Sequence, residues 1–167
     1  MIGDAALHQA VGRAVVVWGY IETHLAYIYA EVLHADLHAA TSSFYSVQAF
    51  RGKLALVHAA VQDSFVRKPQ HAALMKQWIA AKKRIEDLSF YRNEIVHFHA
   101  VPTDPSENEW IITKPHATTS AKGSPRKWKS LSVTDIERHC EAFEATAAEI
   151  RPLMWAFREA AIEQGLH

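Results

Sequence analysis

Four stretches of the chain carry apolar residues at alternating steps of three and four, and this spacing constrains the fold more than any other feature of the sequence. Side chains at that spacing lie on one face of an α-helix, and a helix with one apolar face must bury that face against a neighbour. The first stripe is Val11, Ala14, Trp18, Ile21, Leu25, Ile28 and Val32, and the last is Ile136, Cys140, Phe143, Ala147, Ile150, Met154 and Phe157. We predict an all-α, up-and-down bundle of four to five long helices in a single domain, residues 1–167.

Each stretch starts at a residue that can cap or open a helix. These residues are Asp4, Ser42 or Ser43, Pro69, and Thr134 with Glu137 in capping-box spacing. The last stretch also contains Pro152, which lacks a backbone N–H and clashes with the preceding helical turn. We therefore expect a kink there or a break into two helices.

Residues 102–132 interrupt the helical pattern. Pro102 disfavours helix at Val101, and the composition then shifts to prolines, threonines and serines. Residues 110–113 and 127–130 have the composition of two short strands. We predict a small β-hairpin or loop excursion before the last helix.

Composition excludes several classes of protein. Basic and acidic residues balance to a net charge of zero, so no global field attracts nucleic acid, and RNA contact must be local. The single cysteine, Cys140, rules out an internal disulfide framework. The aliphatic run at residues 14–18 is far shorter than the roughly 20 residues of a membrane span. These features predict a cytoplasmic protein without membrane contact.

The densest chemistry lies in residues 90–99, which read FYRNEIVHFH. Arg92 is followed at once by Asn93, and His97 stands five places after the arginine. The segment ends the third stripe, where apolar residues give way to Arg92 and His99. Such a switch indicates that the last turns face a cleft, an interface or a ligand.

This R-x4-H pattern resembles the motif of the HEPN domains, and R-N-E-I-V-H is close to its commonest form. The resemblance implies a small helical bundle, usually a homodimer, without a cofactor. Many HEPN proteins are metal-independent ribonucleases that act as toxins or in phage defence, while others have lost catalysis. A toxin role would bring with it a neutralising partner protein. One HEPN toxin subgroup has tyrosine two residues after the motif histidine and is silenced by adenylylation, but this chain has His99 there.

The residue types suit RNA cleavage. Histidine titrates near neutrality and can act as base or acid, and arginine binds two phosphate oxygens through its planar fork. We predict that His97 acts as an acid or a base and that Arg92 stabilises the charge of the phosphorane, the five-coordinate phosphorus formed during cleavage. Asn93 would orient the two side chains. Glu94 and His99 are accessory candidates. Arg92 and His97 are about 140° apart around a straight helix, so we expect a site shared by two copies of this helix end.

A second RNA contact is predicted in the interrupted segment. Its basic side chains lie among tryptophans, and phosphates favour cations while bases stack on aromatic rings. The residues are Lys114, Lys122, Arg126, Lys127 and Lys129. A solvated loop is the alternative interpretation.

Two further alternatives concern the sites. The chain could be a non-catalytic HEPN-like dimer that serves as an RNA-binding, nucleotide-binding or protein-interaction module, in which His97 interacts with the helix dipole and Arg92 pairs with an acid. His34 and His38 have the i, i+4 spacing of metal ligands, but solvated histidines share that spacing, and we predict no metal site.

Overall fold

The computed structural model describes residues 2–97, 99–103, 110–113 and 130–163. These residues form an all-α bundle with one small hairpin before the last helix, as predicted. The elements are α1 (Ile2–Leu33), α2 (Leu37–Ser46), α3 (Phe50–Phe65), α4 (Ala72–His97), β1 (His99–Pro102), β2 (Trp110–Thr113) and α5 (Val133–Glu163). None of the helices in this part of the chain combines the length and hydropathy that a membrane-spanning segment needs.

α1 begins at Ile2, so Asp4 lies inside the helix and is not its cap. At the other end, His34 adopts a left-handed conformation with a φ of 52°. Its N–H bonds to the carbonyl of Glu31, and the N–H of Ala35 bonds to the carbonyl of Ala30. These two bonds form a Schellman motif, which ends the helix and satisfies its last carbonyls.

The second predicted helix is two helices. α2 starts earlier than expected, because the carboxylate of Asp36 accepts a hydrogen bond of 3.0 Å from the N–H of Ala39. Its C-cap, Val47, is extended, as is Ala49 before α3. Ser42 and Ser43 therefore lie within α2, and the prediction that one of them caps a helix is wrong.

The hairpin pairs a different strand from the one expected. β1 follows α4 directly and pairs antiparallel with β2, with Ala100 opposite Ile112. Ile112 also exchanges two hydrogen bonds with Leu131, at 2.8 and 2.9 Å, on its other side. Residues 127–129 lie outside the described part of the chain, and the bridge forms at Leu131, one residue beyond the strand predicted over 127–130.

α5 is capped two residues earlier than predicted. The hydroxyl of Ser132 accepts a hydrogen bond from the N–H of Asp135, and the Asp135 carboxylate accepts from the backbone and hydroxyl of Ser132. This reciprocal pair replaces the Thr134–Glu137 capping box. α5 then continues through Pro152 as one helix, so of the two predicted outcomes, a kink or a break, the break into two helices does not occur.

The chain groups into two compact units, to which α1, α4 and α5 each contribute. Unit 1 comprises residues 1–18 and 88–144. Trp18 and Phe143 meet edge to face in its core, with ring centroids 5.0 Å apart. The thiol of Cys140 is buried beside the carbonyl of Ala10 at 3.8 Å, and burial raises its pKa.

Unit 2 comprises residues 19–87 and 145–167. In its core the ring of Phe157 contacts those of Phe65 and Trp78, at centroid distances of 5.3 and 6.0 Å. A part-buried ion pair joins Lys53 to Glu22, with 2.6 Å between Nζ and Oε2. The predicted stripes of α1 and α5 are buried almost throughout, with only Val11 and Met154 half-buried.

Candidate functional site

The residues of the R-x4-H motif all lie in unit 1, in the last turns of α4 and the residue that ends it. Arg92 is half-buried, whereas Asn93 and His97 are exposed. One guanidinium nitrogen of Arg92 donates a 3.1 Å hydrogen bond to the side-chain oxygen of Asn93. The asparagine therefore contacts the arginine, and its role as a residue that orients the site stays a prediction.

A solvent-facing strip separates Arg92 from His97. On an α-helix, Val96 falls about 40° from Arg92 and Asn93 falls about 40° from His97, with both between the two motif residues. Val96, Asn93 and His97 are exposed. The arginine and the imidazole thus flank one open face of the helix, and a single phosphate on one copy of this helix is poorly placed to contact both.

The two accessory candidates, Glu94 and His99, differ in exposure and in the element to which they belong. Glu94 is only 7% exposed and lies on the protein-facing side of α4. His99 is exposed, but it belongs to β1, opposite Thr113, because the helix ends at His97. The prediction that the helical stripe continues to His99 is wrong.

The five basic residues predicted to contact RNA lie outside the described part of the chain. They are Lys114, Lys122, Arg126, Lys127 and Lys129. Trp110, near the start of that segment, lies half-buried in β2. The hypothesis of an RNA contact there stays a prediction.

One histidine of unit 1 was missed by sequence analysis. The imidazole of His139, on α5, stacks on the ring of Tyr91, with centroids 4.0 Å apart and ring planes at 22°. Burial lowers the pKa of His139, and Arg138 lowers it further, while Asp135 opposes them. The stack places a histidine, neutral near pH 7, against the residue that precedes Arg92.

No signal in the sequence singles out His139. It is one of eleven histidines, and its partner lies 48 positions away along the chain. Only the packing of α5 on α4 within unit 1 brings the two rings together. Asp135 lies one helical turn before His139. The two do not form part of a metal site, because among the described residues no three histidine, cysteine or acidic side chains converge.

A helix end separates His34 and His38, the two histidines of unit 2 with the i, i+4 spacing of metal ligands. His34 terminates α1 in its left-handed conformation, and His38 lies in the first turn of α2. The i, i+4 geometry that the spacing suggests therefore does not arise on one helix.

Chemically, the end of α4 presents a fixed cation, an amide and an accessible imidazole. A guanidinium can neutralise charge on a phosphate, and an imidazole can move a proton near neutral pH. Three exposed apolar side chains, Phe90, Tyr91 and Val96, accompany them.

Comparison of the chain with protein-family models, with curated proteins and with solved structures gave no match.

Proposed function

We propose that this protein is a metal-independent endoribonuclease of the HEPN type, acting on RNA at a site shared by two copies of the chain. The observation that carries the proposal is the arrangement at the end of α4. Arg92, held by Asn93, and the exposed His97 flank one solvent-facing strip of the helix. If a second copy lies across that strip, the arginine of each copy approaches the histidine of the other.

The proposed reaction needs a base, an acid and a positive charge at the phosphorane. The imidazole of His97 from one copy takes the proton of the 2′-hydroxyl, and the 2′-oxygen then bonds to phosphorus. The bond from phosphorus to the 5′-oxygen breaks, and that oxygen receives a proton from His97 of the other copy. The products are a 2′,3′-cyclic phosphate and a free 5′-hydroxyl, while Arg92 stabilises the charge on the equatorial oxygens.

Exposed apolar side chains near the motif support a second copy. Val96 lies in the middle of the strip, and Phe90 borders it beside His97 on the helical wheel. Apolar side chains grouped at a surface are typical of protein interfaces. A homodimer that covers them would also assemble the site.

The hypothesis of a non-catalytic module predicts a different result from the same experiment. A purified ribonuclease should cut single-stranded RNA in the presence of EDTA, and His97→Ala should abolish the cleavage. A module that only binds RNA or a protein should leave RNA intact. A role as a toxin or phage-defence effector in the cytoplasm, with a neutralising partner, is part of the proposal and would follow from growth arrest on expression.

A further inference from the structure

A cleft of about 680 Å³ opens in unit 2, and none of its lining residues belongs to the motif. Its lining comes from the end of α1, the start of α2 and the C-terminal half of α5. The residues that could contact a ligand through their side chains are Tyr27, Glu31, His34, Leu37, Trp155 and Arg158. The volume falls within the range of about 300–1,000 Å³ that is usual for small-molecule sites.

Two aromatic side chains of the cleft are open to solvent, and Trp155 is far more exposed than the core tryptophans Trp18 and Trp78. Trp155 is 49% exposed and Tyr27 is 37% exposed, whereas Trp18 and Trp78 are 2% and 0% exposed. Large aromatic rings are normally among the most strongly buried side chains of a domain. Exposed rings that line a cleft offer faces on which a flat ligand can stack.

The cleft also holds one carboxylate and one guanidinium. Within the described residues, neither the Glu31 nor the Arg158 side chain forms an ion pair, although both line the same space. Arg158 instead lies over the ring of Trp155, at 5.6 Å from its centroid. A half-buried carboxylate can accept two parallel N–H bonds, and a guanidinium can donate two to a phosphate.

Helix α1 carries two further features, one in the lining of the cleft and one a helical turn before it. His34 lines the cleft at the positive φ of the Schellman motif that ends α1. His24 lies three residues before Tyr27 and seven residues before Glu31, so it shares their face of α1. Its Nδ1 is buried and has no hydrogen-bond partner among the described residues.

We propose that this cleft binds a guanine nucleotide. The base stacks on the exposed rings of Tyr27 and Trp155. The Glu31 carboxylate accepts from the ring N–H and the exocyclic amine, two adjacent donors that adenine, cytosine and uracil do not present on one edge. Arg158 binds the phosphate. The proposal does not depend on RNA cleavage, and the guanine could belong to a free nucleotide or to single-stranded RNA.

Calorimetric titration of the full chain with GMP, guanosine and AMP tests the chemistry. GMP should bind, and guanosine should bind roughly 10- to 100-fold more weakly, because it lacks the phosphate that Arg158 contacts. AMP should also bind roughly 10- to 100-fold more weakly, because its edge offers one donor and one acceptor to Glu31. A 2′-O-methyl hexamer containing one guanine, which cannot be cut through a 2′-hydroxyl, distinguishes the two sources. Binding of the hexamer assigns the site to RNA, and binding of GMP alone assigns it to free nucleotide.

Single substitutions locate the site. Glu31→Gln should weaken GMP binding roughly 10-fold or more and reduce the preference over AMP, and Arg158→Ala should abolish the preference for GMP over guanosine. Glu141→Gln and Arg51→Ala, at exposed positions outside the cleft, are matched controls that should bind GMP normally. The proposal is overturned if the folded chain binds no GMP at millimolar concentration, or if Glu31→Gln, with an unchanged melting temperature, keeps both the affinity and the preference for guanine.

Discussion

The ring of His139 lies parallel to that of Tyr91, 48 residues earlier in the chain, with 4.0 Å between centroids. This contact fixes the residue next to Arg92 against α5. It also excludes water from one face of the imidazole, which accounts for the lowered pKa of His139. A charged His139 is therefore disfavoured in the folded protein.

The lowered pKa of His139 predicts a pH dependence of stability. The unfolded chain takes up this proton near pH 6.5, whereas the folded chain resists it to lower pH. The stabilisation is complete above about pH 6.5 and is lost as the pH falls through the folded pKa. His139→Phe keeps a ring on Tyr91 but cannot titrate, so its melting temperature should fall less than the wild type's between pH 7.5 and 5. An equal fall in melting temperature for the two proteins over this pH range would contradict the assignment.

Substitution by glycine should have opposite effects on the free energy of unfolding at two histidines, His34 at the end of α1 and His38 in α2. His34 has a φ of 52°, which costs a non-glycine residue free energy, so His34→Gly should raise the free energy of unfolding by about 0.5–1 kcal/mol. His38 lies in helix α2, where glycine should lower the free energy of unfolding by about 0.5 kcal/mol. Urea denaturation of both variants measures the two changes. If both substitutions changed the free energy of unfolding in the same direction, the left-handed conformation of His34 would cost no free energy.

The ion pair of unit 2 should matter more for stability than any surface pair. Lys53 and Glu22 have side chains that are 11% and 13% exposed, and Lys53 also lies 4.9 Å from the ring centroid of Tyr45. Lys53→Met or Glu22→Gln removes the ion-pair partner of a largely buried charge, at a cost of about 3–5 kcal/mol. The double variant should recover much of that loss. Additive losses in the double-mutant cycle would show that the two charges do not interact.

Much of this fold could be predicted from the sequence, because the stripes of α1 and α5 are long and regular. The division of α2 from α3 could not, since no glycine or proline marks residues 47–49. The cap of α5 was placed two residues late because Ser132–Asp135 and Thr134–Glu137 have the same spacing and suitable side chains. Only hydrogen-bond geometry distinguishes them.

The candidate site was predictable only where its residues are close in sequence. Arg92, Asn93 and His97 share two turns of α4, so their spacing indicates their arrangement. The β1–β2 pairing and the stack on Tyr91 depend on contacts between distant segments. Glu94, an accessory candidate, lies on the buried side of α4.

The proposed homodimer predicts that a charge at the centre of the strip separates the copies. Val96 is exposed, so Val96→Glu should leave the fold intact while placing a carboxylate in an apolar interface. Light scattering should then show a monomer at micromolar concentration where the wild type is a dimer. Val66→Glu, at an exposed valine of unit 2, is the matched control and should stay dimeric. A monomeric wild type would remove the shared site.

Cleavage of a labelled single-stranded RNA by purified protein, in EDTA, tests the central claim most directly. The wild type should yield products ending in a 2′,3′-cyclic phosphate, and His97→Ala should reduce the rate about 100- to 10,000-fold without changing the melting temperature. Arg92→Ala should reduce it similarly, whereas His38→Ala, at an exposed histidine of α2, should cut at the wild-type rate. Undiminished cleavage by a folded Arg92→Ala, His97→Ala double variant, or intact RNA with the wild type, would contradict the proposal.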